Sequence, residues 1–307
     1  MITGPFVGEL GFELLYWIPA LRRLLRRHGI DPAQVTAVSR GGADLWYRDI
    51  AGSYVDAYDL LPPEEFTARL RRRRGQAGDS KQLGPLDLDL DLLDAARGLG
   101  RLDDPVVVHP SAMYTRLRYL WADERPMSVA GRRLEFARLE AERPAGLPGH
   151  YVALKVYTSD CLPATDENSR VLSETVGRLA EHTPVVLLSD QAAYDDHRDF
   201  GIRREPGVVR SKQSDPRHNL ADKASVVAGA SALVCTYGGF SYLGAFLGVP
   251  AVTLHSHATF NPVHPRVARL ACSTMGLPAP TMLGMSDSTP NQAIAALGAA
   301  DGAGLHR

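Results

Sequence analysis

Val234-Cys235-Thr236-Tyr237-Gly238-Gly239-Phe240-Ser241-Tyr242-Leu243-Gly244-Ala245-Phe246-Leu247-Gly248-Val249-Pro250 reads as a strand, a glycine turn, a helix and a Gly-x-Pro stop before another strand. Gly238 and Gly239 remove side chains where the backbone must turn sharply and where a ligand could approach. Amides at the start of the following helix, with the Ser241 hydroxyl beside them, make a natural anion site. A tight βα turn with no ligand is the plain alternative. The strand before the turn and the helix after it favour a phosphate or diphosphate.

The same alternation runs outward in both directions. Short β-branched runs stand at 2–7, 35–39, 55–60, 106–109, 151–157, 185–189, 208–211, 233–237 and 251–255. Amphipathic stretches of helical length lie among them at 12–28, 43–50, 64–73, 134–142, 167–181, 219–230, 240–247 and 265–275, with a last one at 291–297. Runs such as Val106-Val107-Val108 and Val185-Val186-Leu187-Leu188 are apolar on successive residues, so both faces should be covered by helices. The pattern predicts an α/β protein of two Rossmann-like, doubly wound domains facing a cleft. Pro144-Ala145-Gly146-Leu147-Pro148-Gly149 cannot sustain a helix and marks the break. The expected division is 1–146, then 147–288, with a tail at 289–307 that packs back on the first half.

Three hundred and seven residues suit two domains of ordinary size. With 45% hydrophobic and 22% charged residues the chain can bury real cores and is not a disordered protein. Thirty-four basic against 35 acidic residues leave a net charge of -1, so no global field favours nucleic acid. No apolar run approaches the roughly 20 residues of a membrane span. Glu9 and Glu13 interrupt the N-terminal apolar run and no basic residue precedes it, which argues against a signal peptide. Cys161, Cys235 and Cys272 are few, odd in number and far apart, so a reducing cytoplasm is expected.

Polar groups gather where strands should end. Gly8 and Gly11 flank Glu9 in a loop leading into a helix whose Leu14, Ile18, Leu21 and Leu25 share one face. Ligands of open α/β sheets bind at that edge, so Glu9 is either a substrate contact or a helix cap, with Glu13 an alternative cap. Gly-x-x-Gly is not a dinucleotide fingerprint. His109, Lys155, Ser189, Asp190, Lys212 and His255 fall at other strand ends. Lys155 can neutralise a diphosphate as a point charge, or simply snorkel. Asn219 opens the helix that feeds the central strand and is a cap or a ligand contact.

Other stretches are less specific. The arginines of 69–74 form a solvated helix end or touch phosphates or an anionic membrane, leaving a peripheral membrane contact open. Asp87-Leu88-Asp89-Leu90-Asp91 has the alternation of an edge strand with one acidic face, and only weakly suggests a metal-binding Asp-x-Asp. His255, His257 and His264 lack a carboxylate or cysteine partner in register, so no metal is expected. No Gly-x-Ser-x-Gly elbow, Cys-x-x-Cys or phosphate-binding Gly-Lys-Ser/Thr occurs, which removes the simplest support for hydrolase, redox and kinase readings.

Residues 219–254 resemble the C-terminal half of GT-B glycosyltransferases. There a helix, a strand, a Gly-rich turn with a hydroxyl residue and a short helix ending in Gly-x-Pro line the nucleotide-sugar site. Residues 4–19 resemble the first, Gly-rich loop of the same superfamily. Lys155 stands where fucosyltransferase-like members carry a basic residue, although Leu154-Lys155-Val156 does not reproduce their His-x-Arg. The resemblance implies inverting transfer of a sugar from a nucleoside-diphosphate donor to a glycan, lipid-linked glycan or small-molecule acceptor. It implies no metal, and no cofactor beyond the nucleotide-sugar co-substrate. Glu9 is then the base, with His109 second. Gly238, Gly239, Ser241 and Lys155 hold the diphosphate, and Gly8, Gly11, Ser189, Asp190, Lys212, Asn219, Tyr237, Phe240, Tyr242 and His255 make further substrate contacts. Two alternatives share the architecture: a sugar-nucleotide 2-epimerase, and a non-catalytic module that binds nucleotide or a partner protein.

Overall fold

The computed structural model describes residues 1–78, 81–100, 104–122, 127–188, 198–202, 206–212 and 215–302. The chain folds as two compact units, Met1–Ala137 with Ser214–Ala221, and Arg138–Gln213 with Asp222–Arg307. Each is built on its own parallel sheet, so the α/β, two-sheet expectation holds. No helix among the described residues is long and apolar enough to cross a membrane.

The first sheet contains β1 (Ile2–Thr3), β2 (Thr36–Ser39), β3 (Ser53–Asp56) and β4 (Val107–Val108) in the order β3-β2-β1-β4. The second contains β5 (Val152–Lys155), β6 (Val185–Leu187), β7 (Val208–Arg210), β8 (Ala232–Thr236), β9 (Ala251–His255) and β10 (Thr281–Gly284). Its order, β10-β9-β8-β5-β6-β7, is that of a doubly wound nucleotide-binding sheet. Winding reverses between β1 and β4 in one unit and between β5 and β8 in the other. Leu154 pairs with Val234 at the second reversal, both fully buried within a core that extends through Leu172, Val176 and Leu254.

The principal helices are α1 (Ile18–His28), α2 (Pro63–Ala77), α3 (Asp87–Gly100), α4 (Ser111–Ala122) and α5 (Met127–Arg133). The second unit adds α6 (Asp166–His182), α7 (Asn219–Ala228), α8 (Gly239–Phe246), α9 (Val263–Met275) and α10 (Thr289–Gly302), α7 opening at the end of the first unit's second segment. Leu14, Ile18, Leu21 and Leu25 are buried as their spacing predicts. Gly29, with φ 60°, ends α1 in a left-handed cap, and Arg26, Arg27 and His28 offset the dipole of its last turn.

Several elements differ from expectation. The 87–91 run is not an edge strand but the start of α3, because Leu88, Leu92, Leu93 and Ala96 recur at helical spacing and bury one face. Its acidic first turn also suits a helix N-terminus. Residues 134–142 are not helical; Leu134, Phe136 and Leu139 are buried from an irregular segment in which Glu135 N–H bonds Pro19 O and Leu139 N–H bonds Phe246 O. The run at 55–60 leaves the strand after Asp56, whose carboxylate accepts from Tyr58 N–H and starts a helical turn at Ala57–Leu60. Helix α10 packs on α6, β9 and β10 of its own unit, where Ile294, Ala296 and Leu297 join the core; docking on the first half was the expectation.

The arginines of 69–74 do not form one basic surface. Arg69 meets Asp91 and Glu65, and Arg73 is buried against Asp89 at 2.9 Å. Asp89 also accepts from Gln82 Nε2 at 2.9 Å and Leu86 N–H at 2.8 Å, while His109 Nε2 stands 3.8 Å away, too far for a hydrogen bond. Burial would raise the Asp89 pKa, but His109, the Leu86 amide and Arg73 outweigh it and hold the carboxyl below its ordinary 3.8. Its stabilising contribution is therefore complete above that value and disappears as pH falls through the lower folded-state pKa. Asp89→Asn leaves Arg73 buried without its counter-charge and should cost about 3–5 kcal/mol. Urea unfolding at pH 7 measures this, and the variant should lose less additional stability below pH 4 than the wild type. Equal midpoints would remove Asp89 from the list of structural anchors.

Candidate functional site

In the second unit the crevice falls between the carboxyl ends of β5 and β8. Thr236, the last residue of β8, laces the two loops together: its Oγ1 accepts from Tyr157 N–H at 2.9 Å and donates to Tyr157 O at 2.8 Å. Gly238 follows with φ 154° and ψ -152°. A Cβ there would stand 2.4 Å from the Tyr157 hydroxyl, so this position admits only glycine without displacement of that ring. Gly239 begins α8. Ser241 N–H and Oγ both donate back to Gly238 O, at 3.1 and 2.5 Å, so the hydroxyl closes its own turn and is directed at the backbone.

Lys155 ends β5 opposite Cys235 of β8. It is 4% exposed, its Nζ pairs with Asp199 Oδ1 at 2.8 Å, and it lies 5.7 Å from the centre of the Phe240 ring. Lys223 of α7 is equally buried and lies 6.0 Å from the same ring. Two buried ammonium groups therefore meet the aromatic side chain of the first turn of α8, an arrangement that places positive charge beside that helix N-terminus. Lys223 was missed in the sequence reading. Its spacing of four from Asn219 placed it on the same helical flank, but nothing marked that flank as facing Phe240.

The remaining candidates in this unit surround that centre. The Tyr237 hydroxyl shares a 2.8 Å hydrogen bond with Tyr242, and burial pushes its pKa up to about 12, so it serves as a neutral hydrogen-bonding group. Its ring meets Phe260 at 4.2 Å with a tilt of 39°, and Phe260 also meets the His255 ring edge-on at 5.3 Å. His255 ends β9, and burial lowers its pKa. His257 Nδ1 lies against Ser256 Oγ at 3.1 Å, and among the described residues no three His, Cys, Asp or Glu side chains converge as metal ligands. Lys212 is exposed just beyond β7. Ser189 and Asp190 lie outside the described residues. All three cysteines are free and buried.

In the first unit the loop after β1 is held from two sides. Gln82 donates from Nε2 to Pro5 O and accepts Val7 N–H at Oε1; Phe6 N–H bonds Val38 O. Arg40 donates to Phe6 O and Gly8 O. Arg40 is itself paired with Glu13 at 3.3 Å, and Ser39 and the Tyr47 hydroxyl also donate to Glu13. Glu13 is fully buried, and burial raises its pKa despite these donors, so it is not the helix cap that sequence spacing allowed. It lies at the start of the π-helical turn Glu13–Trp17.

This scaffold presents Glu9. Glu9 is exposed at the N-cap position of the short helix Leu10–Phe12, and its carboxylate makes no capping bond. Gly8 is buried and Gly11 lies within that helix. His109 follows β4 but turns inward. Ser111 N–H donates to its Nδ1 at 3.2 Å, which leaves Nε2 facing Asp89. Asn219 is buried in the first turn of α7 and is not the cap; Asp215 caps the preceding turn through Arg217 N–H. That turn docks on the glycine pair after β2, with Leu220 N–H donating to Gly41 O at 2.8 Å.

No protein-family model matches the sequence, and no curated protein matches it in sequence. Solved structures do resemble the fold. Two structures of the glycosyltransferase TibC from enterotoxigenic Escherichia coli match at TM-scores of 0.46 and 0.45, with 16% and 14% identity. They cover 82% and 83% of this chain, which spans only 58% and 57% of theirs; one of them holds ADP-D-β-D-heptose. The Escherichia coli heptosyltransferase WaaC with ADP matches at a TM-score of 0.51 and 16% identity, over 97% of this chain and 99% of its own. With two parallel-sheet units and this likeness, the protein has a GT-B glycosyltransferase-like fold.

Proposed function

We propose that this protein is a glycosyltransferase that moves a sugar from a nucleoside-diphosphate donor to an acceptor, with inversion and without a metal. The observation that carries the reading is the convergence of Lys155 and Lys223 on Phe240, beside the Gly238-Gly239 turn, where the winding of the second sheet reverses. Departure of a nucleoside diphosphate builds negative charge on phosphate oxygens. Two ammonium groups in a partly desolvated site, with the amides of the α8 N-terminus, are suited to hold that charge as it develops. Tyr237, Tyr242 and His255 supply the aromatic surface for the rest of the donor. Glu9 of the first unit is the proposed base: it is exposed, its side chain makes no capping bond, and its loop is fixed from both sides, as proton abstraction from an acceptor hydroxyl requires. The acceptor is a glycan, a lipid-linked glycan or a small molecule. We place the reaction in the cytoplasm, where three unpaired cysteines remain reduced.

A panel of ADP-, GDP- and UDP-sugars should identify one from which the protein releases free nucleoside diphosphate. Conversion of the sugar to an isomer would support epimerisation instead, and binding without turnover a non-catalytic module. For that nucleoside diphosphate, Lys223→Gln should weaken binding by at least about tenfold in calorimetry, the scale of one charge-assisted hydrogen bond. Unchanged affinity in a folded Lys223→Gln protein would refute the donor-site assignment.

Glu9→Gln keeps size and hydrogen bonding but cannot take a proton. Turnover should fall by a factor on the order of 10² or more, while donor affinity is retained. The melting temperature should barely move, because Glu9 is exposed and the amide keeps its size and hydrogen bonding. Near-normal turnover would transfer the role of base to another residue.

A further inference from the structure

We propose a second anion-binding site in the first unit, one that accepts a phosphate or diphosphate group through arginine. Arg23 and Arg27 of α1, Arg116 of α4, and Arg132 and Arg133 at the end of α5 line an open pocket of about 460 Å³. That volume suits a small ligand. Its walls carry five guanidinium groups in a chain whose net charge is only -1.

Several other arginines of the first unit have carboxylate partners. Arg22 meets Asp49, Arg26 meets Glu135 at 2.6 Å, and Arg69, Arg73 and Arg97 each meet a carboxylate. The pocket arginines do not follow that pattern. Glu135 is engaged by Arg26, and Arg23 reaches it only at 3.9 Å. Among the described residues, Arg27, Arg116, Arg132 and Arg133 have no carboxylate in ion-pair range. Arg133 instead donates to Arg116 O, which draws two walls of the pocket together.

The ends of α1 and α5 account for part of this charge, since cations favour helix C-termini. They do not account for Arg116, which lies mid-helix on α4. Arg23 and Arg27 stand four apart on α1, a like-charge spacing that costs stability rather than adding it. A bound dianion would relieve that repulsion. Guanidinium is also the side chain whose planar donors match phosphate oxygens in pairs. The site does not depend on the glycosyltransferase reading, because none of these residues belongs to the proposed donor site.

Calorimetric titration at low salt with pyrophosphate tests the proposal on the whole protein. Wild type should show a binding event that weakens by at least about tenfold in Arg116→Gln/Arg132→Gln and in Arg23→Gln/Arg27→Gln. Nucleoside-diphosphate affinity at the proposed donor site should be unchanged in both. These side chains lie on the surface, so the variants should fold, and the second pair tests an independent wall. Sedimentation with vesicles of phosphatidylcholine and phosphatidylglycerol in equal parts, against phosphatidylcholine alone, identifies the source of the phosphate. Binding to the mixed vesicles that pyrophosphate displaces supports a lipid headgroup. Pyrophosphate binding without vesicle binding supports a soluble phosphoester. If neither probe separates wild type from both double variants, the proposal is overturned.

Discussion

Parallel strands cannot be joined by hairpins, so the chain leaves each strand at its carboxyl end and returns through a crossover. Where successive crossovers change face, the loops on either side of the reversal diverge and leave a crevice. Each unit has one such reversal, β1 against β4 and β5 against β8. Glu9, His109, Lys155, Tyr157 and Gly238 stand within a few residues of these four strand ends. Their placement thus follows from the winding of the sheets. Local preference then decides what each does there. Glu9 faces solvent, whereas His109, at the same edge, is captured by Ser111 and turned toward Asp89.

The first unit spends buried charge on fixing one loop. Arg40–Glu13 and Arg73–Asp89 are ion pairs removed from water, and such pairs are weak sources of net stability. Both are connected to the backbone between Pro5 and Gly8, Arg40 directly and Asp89 through Gln82. The two carboxylates respond differently to burial. Asp89 faces an arginine, an amide side chain, a backbone N–H and an imidazole, and its pKa falls. Glu13 has one cation at 3.3 Å and two hydroxyls, and desolvation wins. The unit therefore contains one carboxylate that favours its charge and one that resists it, both acting on the loop that carries Glu9.

Much of the fold was legible because apolar runs of four or five residues, alternating with longer amphipathic stretches, have few other solutions. The strand at 251–255 and the glycine turn at 238–239 are where that pattern placed them. The failures have specific causes. Five alternating residues at 87–91 fit a strand, but Leu92, Leu93 and Ala96 extend the pattern to a helical period that the short window did not reach. Strand β10 is partly exposed at the sheet edge and carried too few apolar residues to stand out. At the candidate site the glycines and Lys155 were readable because they interrupt apolar context. Lys223 was not, since a lysine on an amphipathic helix looks like any solvated residue until its ring partner is placed. The five-arginine pocket was hidden for a related reason: its members come from three separated helices, whereas the contiguous arginines at 69–74 are dispersed by pairing.

The two proposed anion sites differ in the chemistry of their cations, and that difference argues for different work. Lys155 and Lys223 are buried, approach an aromatic face, and present compact charges whose hydration has already been stripped. A charge held in that way gains most from an anion that grows during reaction, because little water must reorganise as it forms. The five arginines of the pocket are exposed or half-buried. Their attraction is screened by salt and extends over about a Debye length, roughly 8–10 Å at ordinary ionic strength. Such a surface is poorly placed to stabilise a transition state. It is well placed to retain a ligand that already carries full charge, with planar donors selecting phosphate geometry. The proposed catalytic stabilisation therefore fits the buried lysines, and the proposed retention of a phosphorylated or membrane-bound ligand fits the arginine pocket.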